Sequence, residues 1–160
     1  MKYKIRKFEP SDAPSTSEML LTSFEWFHKG DRNSWLFKSF DPSNLVSISR
    51  NLDILVAVSE EDNRSRIIGY IASSDTPFGA AYVPTVAVHP SYQRSGLGRE
   101  LLEVKLNALR EQGMRKVWLL VTSTNFPAIT FYLKNSFVIE GYLRNLTGPG
   151  KDEIVFSKFL

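Results

Sequence analysis

Short apolar stretches recur along the chain between polar turns, and their residue types are typical of β-strands. Several are rich in β-branched residues, as in the run from Asp53 to Ser59. Gly148-Pro149-Gly150 separates the last two and is a strong turn signal. The pattern predicts about seven strands, at residues 3–8, 53–59, 67–73, 82–88, 116–122, 137–144 and 153–158.

Helical periodicity fills the intervals between these strands. Ser11-Asp12 can cap a first helix, which has Pro14 in its first turn and is predicted to reach about His28. A helical piece to about residue 51 follows, with Asp41-Pro42 as an internal start. A long helix from about Ser95 to Gly113 and a short one from Asn125 to about Asn135 complete the set. The long helix aligns Leu97, Leu101, Leu102, Leu106 and Leu109 on one side.

The order of these elements predicts one α+β domain over residues 1–160, with a mostly antiparallel central sheet and helical crossovers between some strands. A chain of 160 residues is long enough to bury a hydrophobic core. Neither repeats nor low-complexity tracts interrupt it.

Composition narrows the classes of function that the chain can have. The absence of cysteine excludes a disulfide framework and a thiol nucleophile, and His28 and His89 as the only histidines argue against a metal site. No apolar run is long enough to cross a membrane, and the N-terminus lacks the core of a signal peptide. We therefore expect a cytoplasmic protein. Its net charge of +3 suits an anionic small molecule as well as nucleic acid.

The segment after the strand that ends at Val88 carries the first candidate chemistry. Ser95-Gly96-Leu97-Gly98 stands at the start of the long helix, where the first N–H groups lack partners within the helix. Such a site suits a phosphate, and Arg94 and Arg99 would add positive charge. Alternatively, the glycines only permit a tight turn and close helix packing. The segment lacks the Lys-Ser/Thr ending of a P-loop and the third glycine of a dinucleotide fingerprint.

Two motifs relate the chain to a known family. Val86-Ala87-Val88-His89-Pro90-x-x-Gln93-Arg94-x-Gly96-x-Gly98 resembles the acetyl-CoA signature of the GCN5-related N-acetyltransferase (GNAT) family. Asn125-x-x-Ala128-x-x-Phe131-Tyr132-x-x-x-Ser136-Phe137 resembles the family segment Asn-x-x-Ala-x-x-Phe-Tyr-x-x-x-Gly-Phe. The order of elements is also similar to the family fold, which implies a three-layer αβα sandwich with helices on both faces of the sheet.

The resemblance implies an N-acetyltransferase that moves an acetyl group from acetyl-CoA to a primary amine in a ternary complex, without a metal. Backbone groups of Val86 and Val88 would bind the pantetheine arm and thioester, and the N–H groups of residues 94–99 the pyrophosphate. Asn125 would contact the pantetheine, and Tyr132 would be the catalytic residue at the thioester sulfur. The implied cofactor-binding set is Val86, Ala87, Val88, Gln93, Arg94, Ser95, Gly96, Leu97, Gly98, Arg99, Asn125 and Tyr132.

The residues themselves support the last pair. Asn125 and Tyr132 are seven positions apart, so they face the same way if both lie on the helix. A phenol with a pKa of ~10 is protonated at neutral pH and can donate a proton to a departing thiolate. Alternatively, Asn125 is only a helix N-cap, and Tyr132 is a packed aromatic whose hydroxyl is satisfied by the backbone.

The chain departs from the family pattern at several positions. Many members place a glutamate on the fourth or fifth strand as a base, whereas residues 83–85 and 119–121 contain no carboxylate. A water chain, His28, Glu25 or Asp75 could serve instead, and we interpret His89 as structural. Ser136 replaces a glycine, so we expect Asn135 to take the left-handed conformation. Pro84 predicts a split or bulge in its strand.

The acceptor side is expected to involve the aromatic residues of the first helices. Most should pack on the sheet, and a few could line a slot for an amine. The members of this group are Phe24, Trp26, Phe27, His28, Trp35, Phe37 and Phe40.

Other readings of the chain stay open. The alternative function is a non-catalytic acyl-CoA-binding or regulatory domain of the same fold. A nucleic-acid partner is not expected, because no stripe of Lys and Arg is interleaved with aromatic residues. A homodimer is compatible with the family.

Overall fold

A computed structural model describes residues 2–29, 31, 33–60 and 66–160. The strands are β1 (Tyr3–Lys7), β2 (Asp53–Ser59), β3 (Arg66–Asp75), β4 (Ala80–Val88), β5 (Lys116–Thr122), β6 (Val138–Leu143) and β7 (Glu153–Phe159). The helices are α1 (Ala13–Ser23), α2 (Glu25–His28), α3 (Trp35–Ser39), α4 (Pro42–Ile48), α5 (Leu97–Glu111) and α6 (Phe126–Lys134). Each predicted strand is confirmed to within two residues at either end.

The strands form a sheet in the hydrogen-bonded order β1-β2-β3-β4-β5-β7-β6. The pairs β1–β2, β2–β3, β5–β7 and β6–β7 are antiparallel, whereas β4–β5 is parallel. This confirms the predicted mostly antiparallel sheet of an α+β fold. The chain divides into two compact units, one of Met1–Ser73 with Thr85–Lys105 and one of Ser74–Pro84 with Leu106–Leu160.

The first unit buries a core between its strands and the N-terminal helices. Met19 and Leu20 of α1 and Leu45 of α4 pack in one cluster with alternate residues of β2, such as Val56. Ala57, the next residue of β2, belongs to the opposite face, which α5 covers. Helices therefore lie on both faces of the sheet in this unit, as predicted.

Gly69 of β3 marks the closest approach of α5 to the sheet. A Cβ atom at this position would lie 2.6 Å from Leu101 Cδ1 and 3.4 Å from Leu97 Cδ2. Both leucines are fully buried. No side chain fits between strand and helix at this point, and glycine is what allows the contact.

The second unit buries a smaller core beneath α6. Val117, Leu119 and Val121 alternate inward along β5, and Phe156 of β7 is paired with Leu119. Phe137, at the end of the connection from α6, is also buried. On the opposite face lie Trp118 of β5 and its β4 partner Tyr82, whose ring centroids are 4.3 Å apart.

The helices deviate from the prediction at three points. The first predicted helix is two helices, because α1 ends at Ser23 and Phe24, which separates it from α2, has non-helical backbone angles. The long helix begins at Leu97 rather than at Ser95. Asn135 has a φ of −97°. The expected left-handed residue is instead Ser136, with a φ of 63°, so the serine itself adopts the conformation that the family's glycine would favour.

No helix among the described residues is long and apolar enough to cross a membrane.

Candidate functional site

Strand β4 loses its parallel partner partway along. The β4–β5 ladder pairs Ala80, Ala81 and Tyr82 with residues 116–118, and no further pair is present. Pro84, which has no N–H group to donate, lies two residues after the last pair. The split predicted from Pro84 is therefore observed, and the missing donor interrupts no β4–β5 hydrogen bond.

The end of β4 offers a backbone carbonyl on its unpaired side. The N–H group of His89 donates to the carbonyl of Ile68 on β3 at 2.9 Å, so the Val88 carbonyl in the same peptide plane points away from β3. That carbonyl accepts hydrogen bonds from Gln93 Nε2 at 3.1 Å and Ser23 Oγ at 3.3 Å. The Gln93 side chain thus holds the loop against the strand end.

His89 is part of the scaffold of this loop. Its Nδ1 accepts a hydrogen bond from the N–H group of Ser91 at 3.2 Å and so caps a 3₁₀ turn, Pro90–Tyr92. Its Nε2 lies 3.0 Å from a guanidinium nitrogen of Arg66. Burial and, next, the charge of Arg66 lower the pKa of His89. These contacts agree with the structural interpretation made from the sequence.

Two residues in the loop before α5 have left-handed backbone angles. Arg94 has a φ of 60° and Gly96 a φ of 92°. A Cβ atom on Gly96 would have no neighbour within 4 Å, so conformation rather than space favours glycine here. Ser95 Oγ donates to the Tyr92 carbonyl at 2.7 Å and accepts only a long hydrogen bond, 3.4 Å, from the Leu97 N–H group.

These backbone angles leave several N–H groups exposed at the N-terminus of α5. These N–H groups bond to no atom of the described chain, whereas Glu100 already donates to the Gly96 carbonyl at 3.0 Å. Successive N–H groups in such a loop, followed by a helix, form a favourable site for an anion. The donors belong to Arg94, Ser95, Gly96, Gly98 and Arg99.

The arginine side chains at the α5 N-terminus are exposed, as expected. Arg99 Nε pairs with Glu103 Oε1 at 2.8 Å, one turn further along the helix. This contact partly offsets the positive charge that the sequence led us to expect from Arg99. Arg94 is exposed beside it.

The N-terminus of α6, in the second unit, is capped by a side chain. Asn125 Oδ1 accepts a hydrogen bond from the Ala128 N–H group at 3.2 Å, and α6 begins at Phe126. Asn125 is thus the N-cap residue, the alternative considered from the sequence. Because Asn125 lies before the helix, the condition on which we expected Asn125 and Tyr132 to share a helical face is not met.

Tyr132 is buried among aromatic rings. Its ring centroid lies 5.1 Å from that of Phe131, 5.3 Å from that of Phe137 and 5.9 Å from that of Phe156. Burial raises the pKa of Tyr132, so the phenol stays protonated. No described residue hydrogen-bonds to its hydroxyl, which speaks against the alternative of backbone satisfaction.

The candidate bases named from the sequence do not lie in a buried site in the described part of the chain. Glu25 and Asp75 are exposed, and the side chain of His28 lies outside the described part of the chain. Sequence reasoning missed Glu153, the first residue of β7, which is only 4% exposed. No local pattern marked it, because Glu153 lies on the face opposite to Phe156 and is paired with Thr122 at the end of β5, a contact that the sequence does not reveal.

The aromatic residues of the first helices divide into two groups. Phe40 is buried and stacks on Phe24 at 5.4 Å, as packing on the sheet requires. Trp26 and Trp35 are 47% and 55% exposed, and both contact the ring of Phe27, at 5.6 Å and 6.1 Å. The exposed pair is the part of this segment that can contact another molecule.

Comparison with known proteins finds similarity to acetyltransferases, the family that the two sequence motifs resemble. A family model described as the Acetyltransferase (GNAT) family matches residues 14–137. N-alpha-acetyltransferase 60 of Drosophila melanogaster is 32% identical over 85 residues, 49% of this chain and 31% of the relative. The ribosomal protein bS18-alanine N-acetyltransferase of Escherichia coli K12 is 38% identical over 72 residues, 44% of this chain and 49% of the relative. The matches thus span half or less of these relatives.

Solved structures share the fold over nearly the whole chain. The PaiA N-acetyltransferase of Thermoplasma acidophilum, crystallised with coenzyme A, superposes with a TM-score of 0.83 at 22% identity and covers 100% of both chains. The ribosomal-protein-S18-alanine N-acetyltransferase of Escherichia coli gives a TM-score of 0.77 at 21% identity, over 99% of this chain and 94% of the other. At these identities the likeness establishes the fold alone.

Proposed function

Because the chain belongs to the Acetyltransferase (GNAT) family, we propose that it transfers the acetyl group of acetyl-CoA to a primary amine. The observation that carries the proposal is the set of backbone N–H groups without acceptors at the α5 N-terminus. The family match runs through both compact units, which supports residues 1–160 as one acetyltransferase domain. The protein is proposed to act in the cytoplasm.

The α5 N-terminus is proposed to bind the pyrophosphate of coenzyme A. Its N–H groups, from Arg94 to Arg99, suit a doubly charged anion because they combine free donors with the positive end of the helix dipole. Pantetheine is assigned to the unpaired edge of β4 at Val86, Ala87 and Val88, and to Asn125. Gln93 supports this edge through the Val88 carbonyl, while Ser95 and Leu97 shape the loop.

Tyr132 is the proposed general acid. Attack of a neutral amine on the thioester carbonyl expels a thiolate, which needs a proton. The Tyr132 phenol is protonated over the whole working range of pH, because burial raises its pKa, and its hydroxyl has no described partner that would compete for the proton. The absence of cysteine supports direct attack of the amine on acetyl-CoA rather than an acyl-enzyme.

The acceptor class is a primary amine, of a small molecule or a polypeptide. The names of the two curated relatives, an N-alpha-acetyltransferase and an alanine N-acetyltransferase, favour α-amines of polypeptides within this class. Trp26 and Trp35 offer exposed ring faces, to which ammonium groups and apolar side chains bind well.

The alternative is a non-catalytic acyl-CoA-binding module of the same fold. It is favoured by one observation, the lack of a carboxylate at residues 83–85 and 119–121. Both functions predict binding of acetyl-CoA, and only the enzyme predicts acetyl-CoA-dependent release of free thiol in the presence of an amine.

The test begins with calorimetric titration of acetyl-CoA into the protein. A panel of alkylamines, a polyamine and peptides with free N-termini is then assayed for thiol release. Tyr132→Phe should lower kcat by about 100-fold while acetyl-CoA affinity stays within about twofold, because the hydroxyl acts on the leaving group. Tyr142→Phe, an exposed tyrosine of β6, is the matched control and should keep full activity. Absence of acetyl-CoA binding would refute both functions.

A further inference from the structure

Glu153 is a buried carboxylate with an unusual set of partners. The β5–β7 register pairs Glu153 with Thr122, at the end of β5, and its exposure is 4%. Its Oε1 accepts hydrogen bonds from Thr122 Oγ1 at 3.1 Å and from Thr147 Oγ1 at 3.0 Å. No described residue donates to Oε2.

Two other carboxylates of the protein, those of Asp12 and Asp53, are neutralised by a basic side chain. Asp12 is held by Arg6 through two hydrogen bonds of 2.6 and 2.8 Å, and Asp53 pairs with Lys105 at 3.0 Å. Among the described residues, Glu153 has no lysine or arginine within ion-pair distance. Glu153 is held instead by two threonine hydroxyls on Oε1, so its charge has no cationic partner in the described chain and Oε2 can accept a hydrogen bond from an ammonium ligand.

The surroundings of Glu153 suit an ammonium group. Alternation along β5 places Trp118 and Thr122 on one face of the sheet, and the pairing of Tyr82 with Trp118 places Tyr82 on that face too. Burial and then the charge of Glu153 raise the pKa of Tyr82, so the carboxylate and the phenol interact. This face thus combines a carboxylate at one end of the β5–β7 pair with aromatic rings further along it, at Trp118, which is paired with Ser157. Both kinds of group attract a cation.

The same face includes the middle residue of the β5 stretch 119–121, one of the stretches in which family members place a glutamate. Leu120 lies between Trp118 and Thr122 on this face and is paired with Val155, two residues from Glu153. Diagonal neighbours of this kind are within reach of a long side chain. A carboxylate from β7 can therefore serve the region that lacks one on β5.

The geometry also connects Glu153 to α6. The Thr122 carbonyl accepts the Asn125 N–H group at 2.8 Å, and Asn125 caps the helix that carries Tyr132. Tyr132 packs on Phe156, which alternates with Val155 and faces the side of the sheet opposite to Glu153. A proton acceptor and a proton donor are thus held on opposite faces of the β5–β7 pair and cannot neutralise each other.

We propose that Glu153 binds the ammonium group of the acceptor and removes its proton, an inference that rests on the proposed acetyltransferase function. Glu153 takes one proton from R–NH₃⁺ and releases it to solvent. The neutral nitrogen attacks the thioester carbonyl carbon, the C–N bond forms and the C–S bond breaks. The nitrogen gives its second proton to Glu153, which is ionised again and passes this proton to solvent too. Tyr132 protonates the thiolate and is reprotonated from solvent, so the products are the N-acetyl amine, free coenzyme A and one proton in solution.

The variant that tests this is Glu153→Gln, assayed with an alanine-initiated peptide and with butylamine as acceptors. The amide keeps an oxygen that accepts from both threonines, so the fold is retained and only proton acceptance is lost. We expect kcat/KM for the acceptor to fall by about 100-fold, with acetyl-CoA affinity unchanged. The Glu140→Gln variant, in which an exposed glutamate paired with Lys116 at 2.7 Å is changed, is the matched control and should behave like wild type.

The pH profile separates proton acceptance from a structural role. In the Glu153→Gln variant only the neutral amine can react, so kcat/KM should rise about tenfold per pH unit up to the pKa of the amine. In the wild-type protein Glu153 can deprotonate the bound ammonium, so the profile should be flatter. Tyr82, the neighbouring Asp152 and both threonines are unchanged in this comparison. A lowered melting temperature with wild-type kcat and an unchanged profile would overturn the proposal for Glu153 alone. If wild type released no thiol with any amine, the acetyltransferase function would fail and the base role with it.

Discussion

The α5 and α6 N-termini both begin a helix directly after a strand and a short loop, yet they satisfy their first N–H groups differently. At α6, Asn125 caps the helix with its side chain. At α5, residues 94–96 precede the helix with N–H groups that have no acceptor in the described chain, and Ser95 makes only a long contact to Leu97. One N-terminus is completed by its own sequence, and the other is left for a ligand.

The difference separates a helix start that uses a side-chain oxygen as a cap from one whose backbone donors are available to an anion. A capping side chain lowers the free energy of the folded state but occupies the donors that an anion would need. Left-handed residues such as Arg94 and Gly96 have the opposite effect, because they are strained or entropically unfavourable and spread the N–H groups outward. Substitutions at the two N-termini should therefore affect different quantities.

The largest effect on binding is expected from Gly96→Ala. A residue with a side chain adopts left-handed angles at a cost of about 1–2 kcal/mol, so the loop relaxes and the N–H groups lose their common direction. Acetyl-CoA affinity should fall by about fivefold to thirtyfold, measured by calorimetry. The matched control is Gly113→Ala at the other end of α5, where φ is 83° and a Cβ also meets no atom within 4 Å. That variant should lose similar stability and keep its affinity, and equal affinity losses in both would contradict the comparison.

At the α6 N-terminus the expected loss is in stability. Asn125→Ala should lower the free energy of unfolding by about 1 kcal/mol, because the Ala128 N–H group loses its acceptor. Asn125→Asp keeps a capping oxygen and should unfold like wild type. Ser95→Ala should have a much smaller effect, since its bond to the Leu97 N–H group is 3.4 Å long. Urea denaturation of the three variants measures this, and a large loss in Ser95→Ala would show that α5 is capped after all.

The smallest effect concerns charge. Arg99→Gln removes an exposed cation at the α5 N-terminus and should weaken acetyl-CoA binding by about twofold to fivefold at low ionic strength. The deficit should shrink at about 0.5 M salt because exposed charges are screened. Lys134→Gln, in the last turn of α6, is the control with the same change of charge. If salt left the deficit unchanged, Arg99 would act by shaping the helix start.

Strand positions could be predicted closely because apolar alternation is a local signal. The run from Lys116 to Thr122 is recovered without error, and the others within two residues. The loop with free backbone donors before α5 could also be located, since its glycines and the preceding strand are adjacent in the sequence; its binding of pyrophosphate stays a prediction. Helix ends were less predictable, because the break at Phe24 and the start at Leu97 depend on backbone angles that many residues tolerate.

The features that escaped prediction depend on partners distant in the chain. Glu153 is buried only because β7 pairs with β5, and its neighbours Thr122 and Thr147 come from separate segments. The left-handed angles of Ser136 were assigned to Asn135, since asparagine has the higher intrinsic preference for them. The exposed Ser136 takes these angles at the end of α6, where Asn135 still donates to the Phe131 and Tyr132 carbonyls and Phe137 is buried.

Gly69 makes the α5 N-terminus subject to control from a neighbouring strand. Helix α5 packs directly on the backbone of β3 at this residue, with 2.6 Å between Leu101 Cδ1 and the position that a Cβ atom would take. A larger residue at position 69 would clash with Leu101 and push α5 away from β3, together with the loop at its start. We therefore expect the affinity of the proposed anion site to depend on residue 69, which lies in the strand beneath the helix.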